Sequence, residues 1–363
     1  MSLNIDNALE DVASHFSIRG EIVSCEKHGN GNVNDTFLVR CQEEGEENLY
    51  TLQKINHHVF KNPVALMRNF ERVTSHLLQK SLEQNHGEEV LTLIPSMDGN
   101  SYFQEAEGNF WRMTKFIEGG RSYDVPENDM HAFEAAKAFG RFQLNLNDLG
   151  GSTLVETIPD FHNTRKRFDR FKEVYRKDSL NRVCEVEELV EFALSNEALA
   201  DAIHPDDFPT RVVHNDTKLN NVLLHKTTGK AICVVDLDTV MPGCALHDFG
   251  DLVRTAASSA LEDEPDEKKM HFLPNRFNAI VDGYISGTGE MLNENEIEAL
   301  PIAPIVITYE LGIRFLTDYL EGDVYFKIKH HDHNKDRVRA QFALVQSMQR
   351  SFEDMRRIVL SKK

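Results

Sequence analysis

The decisive stretch is His214-Asn215-Asp216-Thr217-Lys218-Leu219-Asn220-Asn221, followed by Ala231-Ile232-Cys233-Val234-Val235-Asp236-Leu237-Asp238. Residues 221–225 and 230–235 form two short apolar runs, and residues 226–229 between them are turn-forming and end in a glycine. That alternation is the signature of a β-hairpin. A turn centred on Thr228-Gly229 sets Asn221 opposite about Asp236, where cross-strand Cβ atoms lie roughly 5 Å apart. The open end of the hairpin would then present one amide oxygen and one carboxylate. A hard cation such as Mg²⁺ takes a few oxygen ligands from protein and completes its shell with water and phosphate. Asp216 precedes the first strand, where it can accept the proton of an attacking hydroxyl.

The pattern H-x-D-x-x-x-x-N has the spacing of the kinase catalytic loop, and phosphoryl transfer asks the protein mainly for positioning, metal charge and one base. Asp216 is therefore the expected base, and Asn221 and Asp236 are the expected metal ligands. Lys218 is expected beside the transferred phosphate. His214 reads as a packing and hydrogen-bonding post rather than a proton carrier. Asp248-Phe249-Gly250 imitates the D-F-G of protein kinases but lies 27 residues past Asn221, whereas Asp236 lies 15 past it. Only the nearer aspartate follows from the hairpin. Asp248 is expected to be structural, capping a helix that starts near Phe249 or holding the catalytic loop from below. The lesser alternative is that Asp248 or Asp251 touches metal or substrate.

The chain of 363 residues is long enough for two lobes, and 40% hydrophobic content supplies a substantial core. A net charge of −19 without a basic stripe argues against nucleic-acid binding. No run of about 18 apolar residues is present, so no membrane span is expected. Five scattered cysteines without C-x-x-C spacing fit a reducing compartment. With no basic-then-apolar leader, the expectation is a cytoplasmic enzyme. Oligomeric state is not indicated.

Along the chain, a short helix is predicted over 6–16, strands over 21–25, 35–40 and 48–55, and a helix over 63–82. Strands over 90–94, 100–105 and 111–116 complete an antiparallel sheet. After 117-118-119-120, where glycines break the pattern, helices are predicted over 129–147, 160–175, 184–203, 249–261, 270–286, 294–322 and 335–360. The fold class is α+β and protein-kinase-like. A small N-lobe (1–117) of antiparallel sheet plus one helix would bind nucleotide. A larger, mainly helical C-lobe (118–363) would carry the catalytic hairpin and bind the acceptor.

Gly29-Asn30-Gly31 reads either as a hairpin turn or as a loop over nucleotide phosphates, where glycines let backbone N–H groups approach. Gln53 and Lys54 point to opposite faces of their strand, so only one faces the nucleotide, and a pairing with Glu71 stays open. Arg314 and Asp318 share a helix face, with Tyr319 beside them, in a largely apolar segment. They read as an ion pair or as acceptor contacts. His330-His331-Asp332-His333 reads as a solvated loop rather than a metal cluster.

These residues resemble the aminoglycoside phosphotransferase superfamily over nearly the whole chain, and among its branches the bacterial N-acetylhexosamine 1-kinases. The resemblance is carried by 214–221, by Asp236-Leu237-Asp238-Thr239-Val240-Met241-Pro242-Gly243 and by Leu246-His247-Asp248-Phe249-Gly250-Asp251. The branch is indicated by Trp111-Arg112 with Lys115-Phe116-Ile117-Glu118 and by 314–316 through Asp323-Val324-Tyr325-Phe326. The resemblance implies ATP- and Mg²⁺-dependent phosphorylation of the anomeric hydroxyl of N-acetylglucosamine or N-acetylgalactosamine. It implies that residues 112–118, with Lys115, Phe116, Ile117 and Glu118, hold the adenine. Kinases of choline, homoserine or aminoglycosides are the alternatives, followed by a non-catalytic nucleotide-binding regulator.

Overall fold

The computed structural model describes residues 5–29, 33–84 and 89–362 and divides into two compact units. The first comprises residues 1–120 together with 149–158 and 235–241, and the second comprises the remainder. The sheet-bearing unit thus runs three residues past the expected boundary at 117 and also takes in the segment that carries Asp236 and Asp238.

The first unit begins with α1 (Ile5–Ser14), β1 (Glu21–Lys27), β2 (Asp35–Glu43), β3 (Glu46–Ile55) and α2 (Pro63–Gln84). It continues with β4 (Leu93–Ile94), β5 (Phe103–Gln104) and β6 (Phe110–Lys115). The strands form one antiparallel sheet in the order β1-β2-β3-β6-β4, with β5 also paired to β6. β2 and β3 are joined by a two-residue turn in which Glu44 and Gly45 both take positive φ, the backbone that matches strand twist. Alternation along the strands buries Val39, Cys41, Leu52 and Met113 on one face, against Leu9 and Phe16 of the N-terminal segment. The expected strands 90–94 and 100–105 shrink to two-residue ladders.

The second unit is entered at β7 (Gly120–Arg121) and continues with α3 (Asp129–Leu146), α4 (Thr164–Lys177) and α5 (Glu187–Ser195). Then follow β8 (Arg211–Val213), β9 (Val222–His225), β10 (Ala231–Val234), β11 (Met241–Gly243) and α6 (Ala245–Ala256). The rest is helical: α7 (Pro274–Thr288), α8 (Glu294–Ala299), α9 (Ala303–Glu321), α10 (His333–Arg350) and α11 (Phe352–Leu360). The expected helix 294–322 is two helices because Pro301 and Pro304 interrupt the backbone ladder, the second proline opening α9. α3 and α7 approach so closely that a Cβ at Gly283 would meet the Phe133 carbonyl at 2.2 Å, and one at Gly287 the Lys137 carbonyl at 2.3 Å. This contact brings Gln143 and Tyr284 together under the catalytic loop. Among the described residues no helix is long and apolar enough to cross a membrane.

Candidate active site

β9 and β10 form the expected hairpin with a different register. The Gly229 N–H donates to the His225 carbonyl at 2.9 Å, and the His225 N–H donates to the Lys230 carbonyl at 2.8 Å. The turn is therefore centred between Thr227 and Thr228, one residue early, because Gly229 takes its left-handed closing position. His225 Nδ1 accepts from the N–H groups of both Thr227 and Thr228 at 3.2 Å. A bulge between Ala231 and Cys233 recovers part of the offset and leaves Val222 facing Val234, where the expected register sets Val235.

The loop before β9 brings three expected residues together. Asn221 Nδ2 donates to the Asp216 carbonyl at 2.7 Å and to Asp216 Oδ2 at 3.0 Å. With its N–H groups turned to Asp216, the Asn221 amide presents its oxygen the other way. Lys218 Nζ pairs with Asp216 Oδ1 at 3.2 Å. Burial pushes the Asp216 carboxyl up, but the Lys218 ammonium, the His214 ring and the hydrogen bonds from Lys218 and Asn221 outweigh it. The carboxyl is held below its ordinary range and is ionised at neutral pH.

The loop is held from beneath by Asp248, whose carboxylate accepts from the backbone N–H of His214 (2.8 Å) and Asn215 (2.7 Å) and from Gln143 Nε2 (2.6 Å). Tyr284 donates its hydroxyl to Gln143 Oε1 at 2.6 Å, fixing that amide. Thr217 Oγ1 donates to the Asp248 carbonyl at 2.5 Å. Helix α6 starts at Ala245 with Cys244 at its N-cap, so Asp248 lies inside the first turn and is not the cap. Burial pushes its carboxyl above the ordinary range. His214 is buried between the edges of Phe139 and Phe142.

A second support comes from residues the sequence reading missed. Both ring nitrogens of His162 face acceptors, Nδ1 to Glu310 Oε1 at 2.8 Å and Nε2 to the Asn215 carbonyl at 2.9 Å. A neutral imidazole has only one N–H, so this ring is an imidazolium. Burial works against its charge, but Glu310 and the Asn215 carbonyl outweigh that and raise its pKa. Burial likewise raises Glu310, yet His162, Arg314 and Thr164 bring it down to about 2. His247, with its ring 5.1 Å from His162, is pushed down to about 3 by burial and by that neighbouring charge. The available signal was Glu310, the one acid between Ala303 and Leu320 apart from Asp318.

Asp236 belongs to the first unit. It takes a left-handed φ of 61°, is exposed and opens the short 3₁₀ turn Leu237–Thr239. Two residues on, Asp238 is 2% exposed and is gripped by Arg112, itself 1% exposed, with Arg112 Nη2 donating to Asp238 Oδ2 at 3.1 Å and Nη1 to Oδ1. Arg112 Nε donates to Gln53 Oε1 at 2.9 Å, and Gln53 Nε2 donates to Thr36 Oγ1 at 3.1 Å. Lys54 instead lies over the Trp111 ring, 5.7 Å from its centroid, and Glu71 is exposed. Neither forms the strand-lysine-to-helix-glutamate pair of protein kinases. Gly29 takes φ +72° with open space around a would-be Cβ, while Asn30 and Gly31 lie outside the described residues. Lys115 ends β6, Phe116 donates its N–H to the Leu49 carbonyl at 3.0 Å, Ile117 is buried and Glu118 is exposed.

Arg314, Asp318 and Tyr319 do not converge. Asp318 is a loop anchor, accepting from the backbone N–H of Val324, Tyr325 and Phe326 and from Asn334 Nδ2. Tyr319 is buried and donates its hydroxyl to Glu185 at 2.8 Å. Both side chains are thus engaged by internal bonds, and among the described contacts Arg314 is not a partner of Asp318. The residues that Asp318 fixes include Val324 and Tyr325, which are 76% and 58% exposed. Arg314 stacks between Phe161 (5.3 Å) and Phe326 (5.6 Å), one residue from His162. His333 is buried, and its Nε2 lies 3.1 Å from Asp263, while His331 is exposed.

Residues 25–276 match the sequence profile of the phosphotransferase enzyme family. The chain belongs to that family. Solved structures with the same fold include an aminoglycoside phosphotransferase from Alicyclobacillus acidocaldarius (TM-score 0.60, 13% identity, covering 98% of each chain). Another is a spectinomycin phosphotransferase in complex with ADP and spectinomycin (TM-score 0.58, 11% identity, covering 97% of this chain and 99% of that one). A third is a choline/ethanolamine kinase family protein from Mesorhizobium loti (TM-score 0.54, 15% identity, 97% and 98%). At these identities the likeness establishes the kinase-like fold.

Proposed function

We propose that this phosphotransferase is an ATP- and Mg²⁺-dependent kinase that phosphorylates the anomeric hydroxyl of N-acetylglucosamine or N-acetylgalactosamine. The observation that carries the kinase chemistry is the Asp216, Lys218 and Asn221 cluster, held on a loop fixed through the backbone N–H groups of His214 and Asn215 and the hydroxyl of Thr217. Asp216 orients the acceptor hydroxyl and takes its proton. Because its carboxyl is depressed it is a weak base, suited to a reaction in which bond breaking at phosphorus runs ahead of nucleophile deprotonation. Lys218 offsets charge on the transferred phosphoryl oxygens.

On this reading the Asn221 amide oxygen and the Asp236 carboxylate, each placed within its own unit, are of the hard-oxygen type that Mg²⁺ prefers. When bound, the ion supplies positive charge to the nucleotide phosphates. The first unit, with Gly29 and the segment Lys115–Glu118, is assigned to the nucleotide. The sugar reading rests on the branch-like segments and on Arg314, whose guanidinium interacts with that of Arg167 near Phe161.

The test is the product. Purified protein with ATP, Mg²⁺ and each N-acetylhexosamine should yield a sugar 1-phosphate, identified by its phosphorus–proton coupling in ³¹P NMR. Absence of product with both sugars, alongside turnover of choline, homoserine or an aminoglycoside, overturns the sugar assignment.

A further inference from the structure

A buried ion pair is weak evidence for stability, because apolar residues of similar size often do as well. Its attested use is to fix geometry, and Arg112 is placed for that. It lies on β6 directly opposite Gln53 of β3, and its guanidinium packs on the face of Phe70 of α2 at 4.3 Å. Its charged partner lies in one short segment. Asp238 takes two of its nitrogens and also accepts from Asn34 Nδ2 at 2.5 Å, while Asn34 Oδ1 receives the Asn56 N–H at 2.9 Å. The Asp238 carbonyl accepts from Thr157 Oγ1 at 2.8 Å. The turn Leu237–Thr239 is thus fastened on its buried side to β6, to β3 through Gln53, and to the exit of the glycine-bearing loop at Asn34.

Asp236 heads that turn in a left-handed conformation uncommon for a residue with a side chain, and such backbone persists only where the surroundings impose it. We propose that Arg112 is a positioning residue for the metal ligand Asp236, standing one strand away from the strand lysine of protein kinases and acting through Asp238 rather than on the phosphates. The proposal rests on Asp236 holding the metal, as assigned above. A planar fork fixes the turn in a way that a point charge cannot. Arg112→Lys should therefore keep the charge and lose the alignment.

The test uses the full chain, Mn²⁺ as an EPR-visible probe in the presence of a non-hydrolysable ATP analogue, and analogue affinity without metal as the second readout. Arg112→Lys should weaken Mn²⁺ binding by about 10- to 100-fold, the usual effect of losing a group that orients a ligand. The fall in Mn²⁺ affinity should exceed any fall in analogue affinity measured without metal. Asp236→Asn serves as the reference. If it leaves Mn²⁺ binding unchanged, the metal-ligand assignment itself fails. If it abolishes binding while Arg112→Lys binds Mn²⁺ like wild type, the positioning role is overturned. Should Arg112→Lys not fold, Arg112→Met with Asp238→Leu replaces the pair by apolar groups. Wild-type Mn²⁺ affinity in that folded double variant also overturns the proposal, and a 10- to 100-fold loss supports it.

Discussion

Asp248 and Asp238 are 1% and 2% exposed, and each fixes a loop that carries a candidate active-site residue, yet they are satisfied in opposite ways. Asp248 accepts from neutral donors, two backbone N–H groups and the Gln143 amide, with electrostatic help from the His214 ring. Asp238 is met by a guanidinium and the Asn34 amide. The first arrangement couples the loop to its own backbone and leaves the carboxyl pushed up by burial. The second matches charge with charge, so removing either partner strands an ion. The contrast teaches that two loops needed for one reaction can be held by different physics, and it predicts different penalties when each carboxylate is neutralised.

The largest loss of stability is expected from Asp238→Asn, which strands the Arg112 charge in the interior and should cost about 3–5 kcal/mol in urea unfolding. A cost near zero would mean that the pair is solvated and would erase the contrast.

Next comes Glu310→Gln, which removes the counter-charge of His162. Glu310 is held near 2 against an ordinary value of 4.5, worth about 3 kcal/mol at 1.36 kcal/mol per unit. The sign follows from the depressed acid. Its contribution is complete above pH 4.5 and fades as pH falls toward 2. His162 has a raised pKa, so its contribution is complete below the ordinary histidine value and is lost as pH rises through its folded value. His247, depressed to about 3 by burial and by His162, works against stability in the wild type as pH falls below 6.5. The stability difference between Glu310→Gln and wild type should therefore be largest near pH 6 and shrink at pH 3. A pH-independent difference would show that the two groups do not form an ion pair.

Asp248→Asn keeps shape and strands no guanidinium, so about 1–3 kcal/mol is expected, from an amide that turns N–H toward backbone N–H and from the lost attraction of the His214 ring. A penalty larger than that of Asp238→Asn would invert the comparison. The smallest effect is expected from Lys54→Met, no more than about 1 kcal/mol for a cation over an indole, with nucleotide affinity unchanged. A marked loss of affinity would make Lys54 the phosphate contact after all.

Much of this was legible in the chain because it is local. Asp216, Lys218 and Asn221 lie within six residues, and the pattern of apolar runs and a glycine announces the hairpin. The register slips because the turn closes one residue early at Gly229, and the bulge at Ala231/Cys233 that recovers part of the offset leaves no sequence signal beyond an ordinary apolar run. Arg112 falls in the segment 112–118 that the resemblance gives to adenine, and its tie to Asp238 has no local signal, since its partners Gln53 and Asp238 lie 59 and 126 residues away. A lone arginine in the strand Phe110–Lys115, whose interior is otherwise uncharged, was the available clue. Asp318 looked like an acceptor contact because an acid on an apolar helix face demands partners. Those partners are backbone N–H groups just beyond Gly322, where the chain reverses on a left-handed residue.

The most direct test of the account is Asp216→Asn, assayed for turnover and for Mg²⁺–nucleotide affinity on the same preparation. The account predicts a fall in kcat of roughly 10²- to 10⁴-fold with nucleotide affinity retained, as for a positioned general base. Turnover near that of the unmodified protein would contradict it, because the fixed loop would then serve no proton acceptor.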